Sequence, residues 1–395
     1  MRILEIETFG RGGLIHYCYN LSCALAGRGH DVTLVTTAAY ELDDRDLPPN
    51  VRLVKAIARV THRRRRLLPA GVLAWARRVE AVADAVAVAR IARRLRPDVI
   101  HLHSTNPIAL AYLVLLRRLG VPLVATAHVV TAHERSRVQD AVYRRIHRAS
   151  PLIIAHSEFD RKRLLEDFAV EPERAIVIPH GEYGFFGRDS SLPDRETARR
   201  SLGLELQHQV VLFFGYIREY KGLDVLLSSW PAVAQARPQA RLLVAGDPVR
   251  LPPDRRGELE AWATRLGAVH RFAYIPFSEV TRYFAAADVL AMPYRHISQS
   301  GVLYLALSLG LPVVATRVGG LPEVLRDGES ALMVPPESPA ALAEALVRVL
   351  GDTALQARLA QGGRRVADLH AWPAIAERTE AAFVQLIEHA PRPAG

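Results

Sequence analysis

Gln299-Ser300-Gly301-Val302-Leu303-Tyr304-Leu305-Ala306-Leu307-Ser308-Leu309-Gly310-Leu311-Pro312-Val313-Val314-Ala315-Thr316-Arg317-Val318-Gly319-Gly320-Leu321-Pro322-Glu323 reads as one loop–helix–strand–loop unit. Ser300-Gly301 opens a helix predicted over 302–309, Gly310 stops it, 313–315 forms a short apolar strand, and Gly319-Gly320 turns the chain. The same alternation extends outward in both directions. Behind it lie strands at 210–214, 242–245 and 289–291, ahead of it one at 332–334, with helices at 223–235, 258–266, 280–286 and 339–350. An earlier series has strands at 3–6, 32–35, 99–102, 123–126, 152–155 and 176–178, with helices at 14–28, 75–95, 107–119 and 158–168. Strands alternating with helices along the whole chain predict parallel α/β architecture. The stretch 182–195, with Gly184, Gly187, Asp189, Ser190, Ser191 and Pro193, reads as a linker between the series. Two Rossmann-like domains are therefore expected, 1–190 and 200–370, each with its working residues beyond the carboxyl ends of its strands. No repeat of short fixed period is present, and an amphipathic segment at 373–387 follows the second series.

A chain of 395 residues, half of them hydrophobic and 23% charged, suits two globular domains. No apolar run approaches the ~18–20 residues needed to span a membrane. The opening MRILEIETFG reads as a strand entering a glycine loop and lacks the plan of a signal peptide. Cys18 and Cys23, five positions apart in one predicted helix, form neither a disulfide scaffold nor a thiolate metal site and fit a reducing compartment. The expectation is a soluble cytoplasmic protein. Of the net charge of +10, an excess of nine comes from 59–96, where eleven arginines face Glu80 and Asp84. A charge so localised disfavours a nucleic-acid binder and fits contact with an anionic membrane.

Chemistry concentrates in the second series. The N–H groups of a helix opening at Ser300-Gly301, with the helix dipole, suit phosphate oxygens. Gly319-Gly320 allows close backbone approach to a ligand, although a plain helix cap and turn fit the same glycines. Arg218 and Lys221, in Phe214-Gly215-Tyr216-Ile217-Arg218-Glu219-Tyr220-Lys221-Gly222, stand on the loop after the strand at 210–214. They suit a diphosphate and equally a solvated surface.

Taken in order, these motifs resemble the retaining glycosyltransferases of family 4, which have the GT-B fold of two Rossmann-like α/β domains facing a central cleft. The matches span nearly the whole chain. They include Gly12-Gly13-Leu14-Ile15-His16, Arg28-Gly29-His30-Asp31-Val32, Asp98-Val99-Ile100-His101-Leu102-His103-Ser104, Ala125-Thr126-Ala127-His128 and Ile178-Pro179-His180-Gly181. Further on come Arg218 with Lys221-Gly222, Ala285-Ala286-Ala287-Asp288-Val289, and Gly310 with Gly319-Gly320-Leu321-Pro322-Glu323. The resemblance implies a nucleotide diphosphate sugar as substrate, no cofactor, and a last helix (373–388) that packs back on the first domain. It implies that Arg218 and Lys221 hold the diphosphate with Gln299, Ser300, Gly301 and Glu323, that Gly12 and Gly13 approach the donor, and that His128 faces donor sugar and acceptor. Retention in this family is assigned to front-face attack, in which the leaving phosphate helps deprotonate the acceptor.

Two departures stand out. The family usually carries two glutamates, with seven residues between them, ahead of the glycine matching Gly310; Ile297 and Leu305 occupy those places. The first cation of the phosphate-binding pair is displaced to Arg218, with Tyr216 following Gly215. The Gln299-Ser300-Gly301-Val302 pattern, with 178–183, resembles a branch acting in polysaccharide and glycolipid assembly. The acceptor is therefore expected to be a glycan, a glycolipid or a small hydroxylated molecule. An epimerase on the same fold, or a catalytically inactive member binding a glycan or a partner, are the alternatives.

His101, His103, His128 and His133 lack the spacing of a zinc site, and no metal is expected. Arg63, Arg64, Arg65 and Arg66, with Leu67-Leu68 and a helix bearing Leu73, Trp75 and Val79, read either as a peripheral dock on anionic lipid or as a solvated arginine face.

Overall fold

The computed structural model describes residues 1–42, 45–58, 70–103, 109–130, 137–188 and 192–389. They form two compact units, one of residues 1–181 with 372–395 and the other of residues 182–371.

The first unit holds a parallel sheet of β1 (Arg2–Ile6), β2 (Asp31–Thr37), β3 (Val51–Ile57), β4 (Val99–Leu102), β5 (Leu123–Thr126), β6 (Leu152–Ala155) and β7 (Ala175–Val177). Their order is β3-β2-β1-β4-β5-β6-β7. The second unit holds β8 (Gln209–Phe214), β9 (Ala240–Ala245), β10 (Val269–Arg271), β11 (Val289–Met292), β12 (Val313–Thr316) and β13 (Leu332–Val334), ordered β10-β9-β8-β11-β12-β13. Both sheets start at a central strand, wind outward one way and then reverse. The reversal opens a crevice between β1 and β4 and another between β8 and β11, beyond the carboxyl ends of the strands.

Burial explains the apolar strands. β4, β5, β6, β11, β12 and β13 are buried at every residue, as parallel strands covered on both faces must be. Each Leu, Ile or Val withdrawn from water there contributes about 1.5–3 kcal/mol before the entropy cost of ordering it. Asp288, just before β11, accepts from Arg199 Nη2 at 2.6 Å and from the Val210 amide at 2.6 Å. It thereby ties the helix Arg195–Ser201 to the sheet.

Several elements differ from the expectation. The edge strands β3 and β10 were not predicted; the first interleaves exposed Arg52 with its apolar residues and the second has three residues. The helices Arg137–Ala149, Arg195–Ser201 and Thr353–Leu369 were also missed, and the helix expected at 75 begins earlier, as Ala70–Leu95. The stretch read as a linker is partly core. Tyr183, Phe185 and Phe186 are buried in the second unit, with Phe277 4.6 Å from Phe186 between ring centroids. The interspersed glycines and serines concealed that aromatic content.

The last helix, Trp372–His389, lies in the first unit. The Trp372 ring covers Gly181 and lies 5.1 Å from Tyr17, and buried Phe383 meets His101 edge-on at 5.3 Å.

Candidate active site

In the second unit, the crevice between β8 and β11 is where the sequence motifs converge. Arg218 precedes the 3-10 turn Glu219–Lys221. Lys221 is buried, with Nζ 5.2 Å from the Tyr294 ring centroid. A Cβ placed on Gly215 would lie 3.0 Å from that Nζ and 3.1 Å from Val302 Cγ2, so the ammonium and the first turn of the helix Gly301–Leu309 meet over Gly215. Burial pushes the Lys221 pKa down, and nearby Arg218 adds to the effect against Tyr220. Among the described residues no carboxylate pairs with Lys221. The Nε of Arg218 is likewise buried without a hydrogen-bond partner. A buried ammonium beside a helix N-terminus is costly unless an anion joins it.

Ser300 caps that helix, its Oγ accepting from the Leu303 amide at 3.4 Å. Gln299 Oε1 accepts from the Tyr304 hydroxyl at 3.2 Å, while its Nε2 is buried and unpartnered. Glu323 is exposed in the short helix Leu321–Val324, and its charge helps raise the pKa of Tyr304, whose burial is the larger cause. The glycines have structural reasons of their own. A Cβ on Gly301 would meet the Tyr183 hydroxyl at 2.8 Å, and one on Gly319 would meet the Ile297 carbonyl oxygen at 1.6 Å. The close approach expected at Gly319-Gly320 is therefore made by Ile297. Ile297 and Leu305 are both buried in the core of this unit.

In the first unit, Gly12 adopts φ 72° and precedes the helix Gly13–Gly27. Its amide donates to Glu41 Oε1 at 2.5 Å, which also lies 2.7 Å from His16 Nε2. Buried Glu7 accepts from the Phe9 amide at 2.5 Å, the Gly10 amide at 2.7 Å and Thr36 Oγ1 at 2.8 Å. These two carboxylates hold the glycine loop, and sequence reasoning passed over both because no spacing links them to it.

Four successive strands are each followed closely by a histidine: His103 after β4, His128 after β5, His156 after β6 and His180 after β7. All four rings surround Tyr17, with centroid distances of 5.6, 4.8, 5.2 and 5.0 Å. His156 Nδ1 lies 2.9 Å from the Ile178 carbonyl and its Nε2 lies 3.2 Å from His128 Nδ1. A carbonyl only accepts, so His156 Nδ1 carries the proton and Nε2 accepts from His128 Nδ1–H. His128 is left with an unprotonated Nε2, which is buried and unpartnered. Burial first, and the neighbouring histidines after it, press His128 well below the ordinary range and His156 down to about 3, so both rings are neutral at pH 7.

Sequence spacing also concealed a buried group on β1 and β4. Glu5, His101 and His103 place one ligand atom each within 4.8 Å of one another, a donor set able to hold a metal ion. His101 Nδ1 lies 3.0 Å from Glu5 Oε2, His101 Nε2 lies 2.6 Å from Thr126 Oγ1, and His103 Nε2 also contacts Glu5. The carboxylate is thus paired where it is buried. Arg63, Arg64, Arg65, Arg66, Ser104 and His133 lie outside the described residues.

Two parallel α/β units of this topology have the architecture of the GT-B fold. The family model for "Glycosyltransferase Family 4" matches residues 11–181 and that for "Glycosyl transferases group 1" matches residues 208–352. The chain belongs to this glycosyltransferase family. It is 31% identical to the D-inositol 3-phosphate glycosyltransferase of Acidothermus cellulolyticus over 385 residues, covering 91% of this chain and 82% of the relative. Sucrose-phosphate synthase from Thermosynechococcus elongatus shares the fold at a TM-score of 0.77 and 24% identity, over 98% of this chain and 99% of that one. Anabaena HepE, solved in complex with UDP-glucose, does so at 0.76 and 21% identity, over 98% and 100%.

Proposed function

We propose that the protein is a retaining transferase that moves a hexose-type sugar from a nucleotide diphosphate to a glycan, a glycolipid or a small hydroxylated acceptor. The buried, carboxylate-free ammonium of Lys221 beside the helix opened by Ser300 is the observation that carries this reading. Lys221 and Arg218 neutralise the diphosphate and the charge that grows on it as the sugar–phosphate bond breaks. Gln299 and Glu323 approach the nucleoside, a role the usual glutamates cannot fill where Ile297 and Leu305 stand. In the first unit, Gly12, Gly13 and His128 are the residues proposed to contact substrate, His128 Nε2 accepting a hydrogen bond from a hydroxyl. The leaving phosphate takes the acceptor proton, so no protein base is assigned. The donor in complex with HepE supports a nucleotide sugar here by fold alone. The reaction is placed in the cytoplasm, with peripheral contact to an anionic membrane.

The test is turnover with a panel of UDP-, GDP- and ADP-sugars and both sugar and lipid acceptors, with the product anomer read by NMR. Transfer with the donor's anomeric configuration kept is the expected result. Inversion removes the retaining mechanism. Interconversion of free nucleotide sugars without an acceptor would make the protein an epimerase. The apolar Ile297 and Leu305 favour one second reading, a catalytically inactive member, which would bind nucleotide diphosphate and transfer nothing.

A further inference from the structure

The helix Ala70–Leu95 has two apolar faces. One, with Ala81, Ala85, Val88 and Ala92, is buried, and the last three of these lie in the first unit's core. The spacing of four, three and four residues keeps them on one side. On the far side, Val72, Trp75, Val79 and Val82 follow at intervals of three, four and three, and all four are exposed, Trp75 by 67%. An isolated exposed valine needs no explanation, but a Trp-bearing stripe nearly three turns long does. Beyond Val82 the same side becomes basic. Arg93 returns to it after eleven residues, about three turns, with Arg90 beside it. Arg78 borders the stripe, Arg77 lies on the opposite side of the helix, and both are exposed. Among the described residues no carboxylate holds any of these four arginines. Asp84, one of the helix's two acids, is buried and accepts from the Ala58 amide at 3.1 Å.

We infer that this outward face is a docking surface for an anionic lipid bilayer. Trp75 and the three valines enter the boundary between headgroups and acyl chains, and the arginines of this face meet the phosphates. Charge selects the occupant: a protein partner needs only apolar complementarity, whereas an apolar stripe running into unpaired arginines matches both layers of an anionic interface. The contact is peripheral, since no described helix is long and apolar enough to cross a membrane. This goes beyond Arg63–Arg66 by assigning the contact to the folded helix. It rests on the proposed transferase reading only for what it delivers, a lipid-linked acceptor.

The experiment is co-sedimentation of the full chain with vesicles of phosphatidylcholine alone or with phosphatidylglycerol added. It compares the natural chain with Trp75→Ser/Val79→Ser and with Arg90→Gln/Arg93→Gln. Binding should require the anionic lipid, weaken at least tenfold in each double variant, and fall with added salt. Turnover on a soluble acceptor should be unchanged, because none of the four side chains belongs to the proposed site. Equal binding by the variants overturns the inference, as does absence of binding by the natural chain. A dimer that Trp75→Ser/Val79→Ser dissolves, without vesicle binding, assigns the stripe to a second copy instead. Vesicle binding without transfer from any nucleotide sugar leaves the surface standing and removes the transferase reading.

Discussion

The His156 imidazole sits between the Ile178 carbonyl and the His128 imidazole, 2.9 Å from the first and 3.2 Å from the second. One backbone carbonyl thereby sets the tautomer of two side chains and leaves His128 Nε2 as an acceptor. Loss of such a hydrogen bond is worth about 1–2 kcal/mol, or roughly five- to thirtyfold in rate. His156→Phe should lower kcat by that factor and mix the tautomers of His128 in ring-nitrogen NMR. His156→Gln, whose amide oxygen can still accept, should recover most of both. Equal kcat in all three proteins would remove His156 from the site.

Lys221 stores a cost in the ligand-free protein. Lys221→Met removes a buried charge that no carboxylate compensates, so the unliganded variant should melt at the same temperature as the natural chain or higher. Its affinity for a nucleoside diphosphate should fall about ten- to a hundredfold, the worth of one or two charge-assisted hydrogen bonds. A variant that melts lower and binds equally well would make Lys221 a structural residue.

Gln299 carries an unmet amide beside Tyr304. Gln299→Leu should weaken binding of a nucleoside diphosphate several-fold and leave inorganic pyrophosphate binding almost unchanged. Equal losses for the two ligands would move Gln299 from the nucleoside to the phosphates.

Acid should unfold the first unit through its neutral histidines. Burial holds His147 down to about 4, with its Nε2 donating to the Val130 carbonyl at 2.9 Å, and holds His103 to about 4 and His156 to about 3. The native protein refuses protons that the unfolded chain takes near pH 6.5. These contributions are therefore complete above pH 6.5 and are lost as pH falls toward 4, at about 1.4 kcal/mol per unit for each group. His147→Gln keeps the donor without the titration, so its stability should fall less steeply over that window. Denaturant unfolding at several pH values reads the slope, and an unchanged slope would contradict the assignment.

The parts of this molecule that announce themselves in sequence are those where local chemistry and fold agree. β12 is an apolar run between glycines and was legible, as was Lys221 on the loop after β8. β3 was not, because an edge strand bearing Arg52 and Lys55 keeps no clean apolar pattern. Gly301 and Gly319 revealed that small residues were needed there, but not that Tyr183 and Ile297 fill the space. Glu41, which holds the Gly12 amide, and Glu5, which meets His101 across 96 positions, are brought to their partners only by tertiary structure. The row of histidines around Tyr17 emerges only once β4 to β7 are ordered side by side.

The central claim is that the crevice between β8 and β11 binds a nucleotide diphosphate. Calorimetric titration of the natural chain and Lys221→Met with UDP, GDP and ADP tests it most directly. The account predicts saturable binding of at least one of the three, weakened at least tenfold by the substitution. No binding of any of them, or equal binding by both proteins, would contradict it.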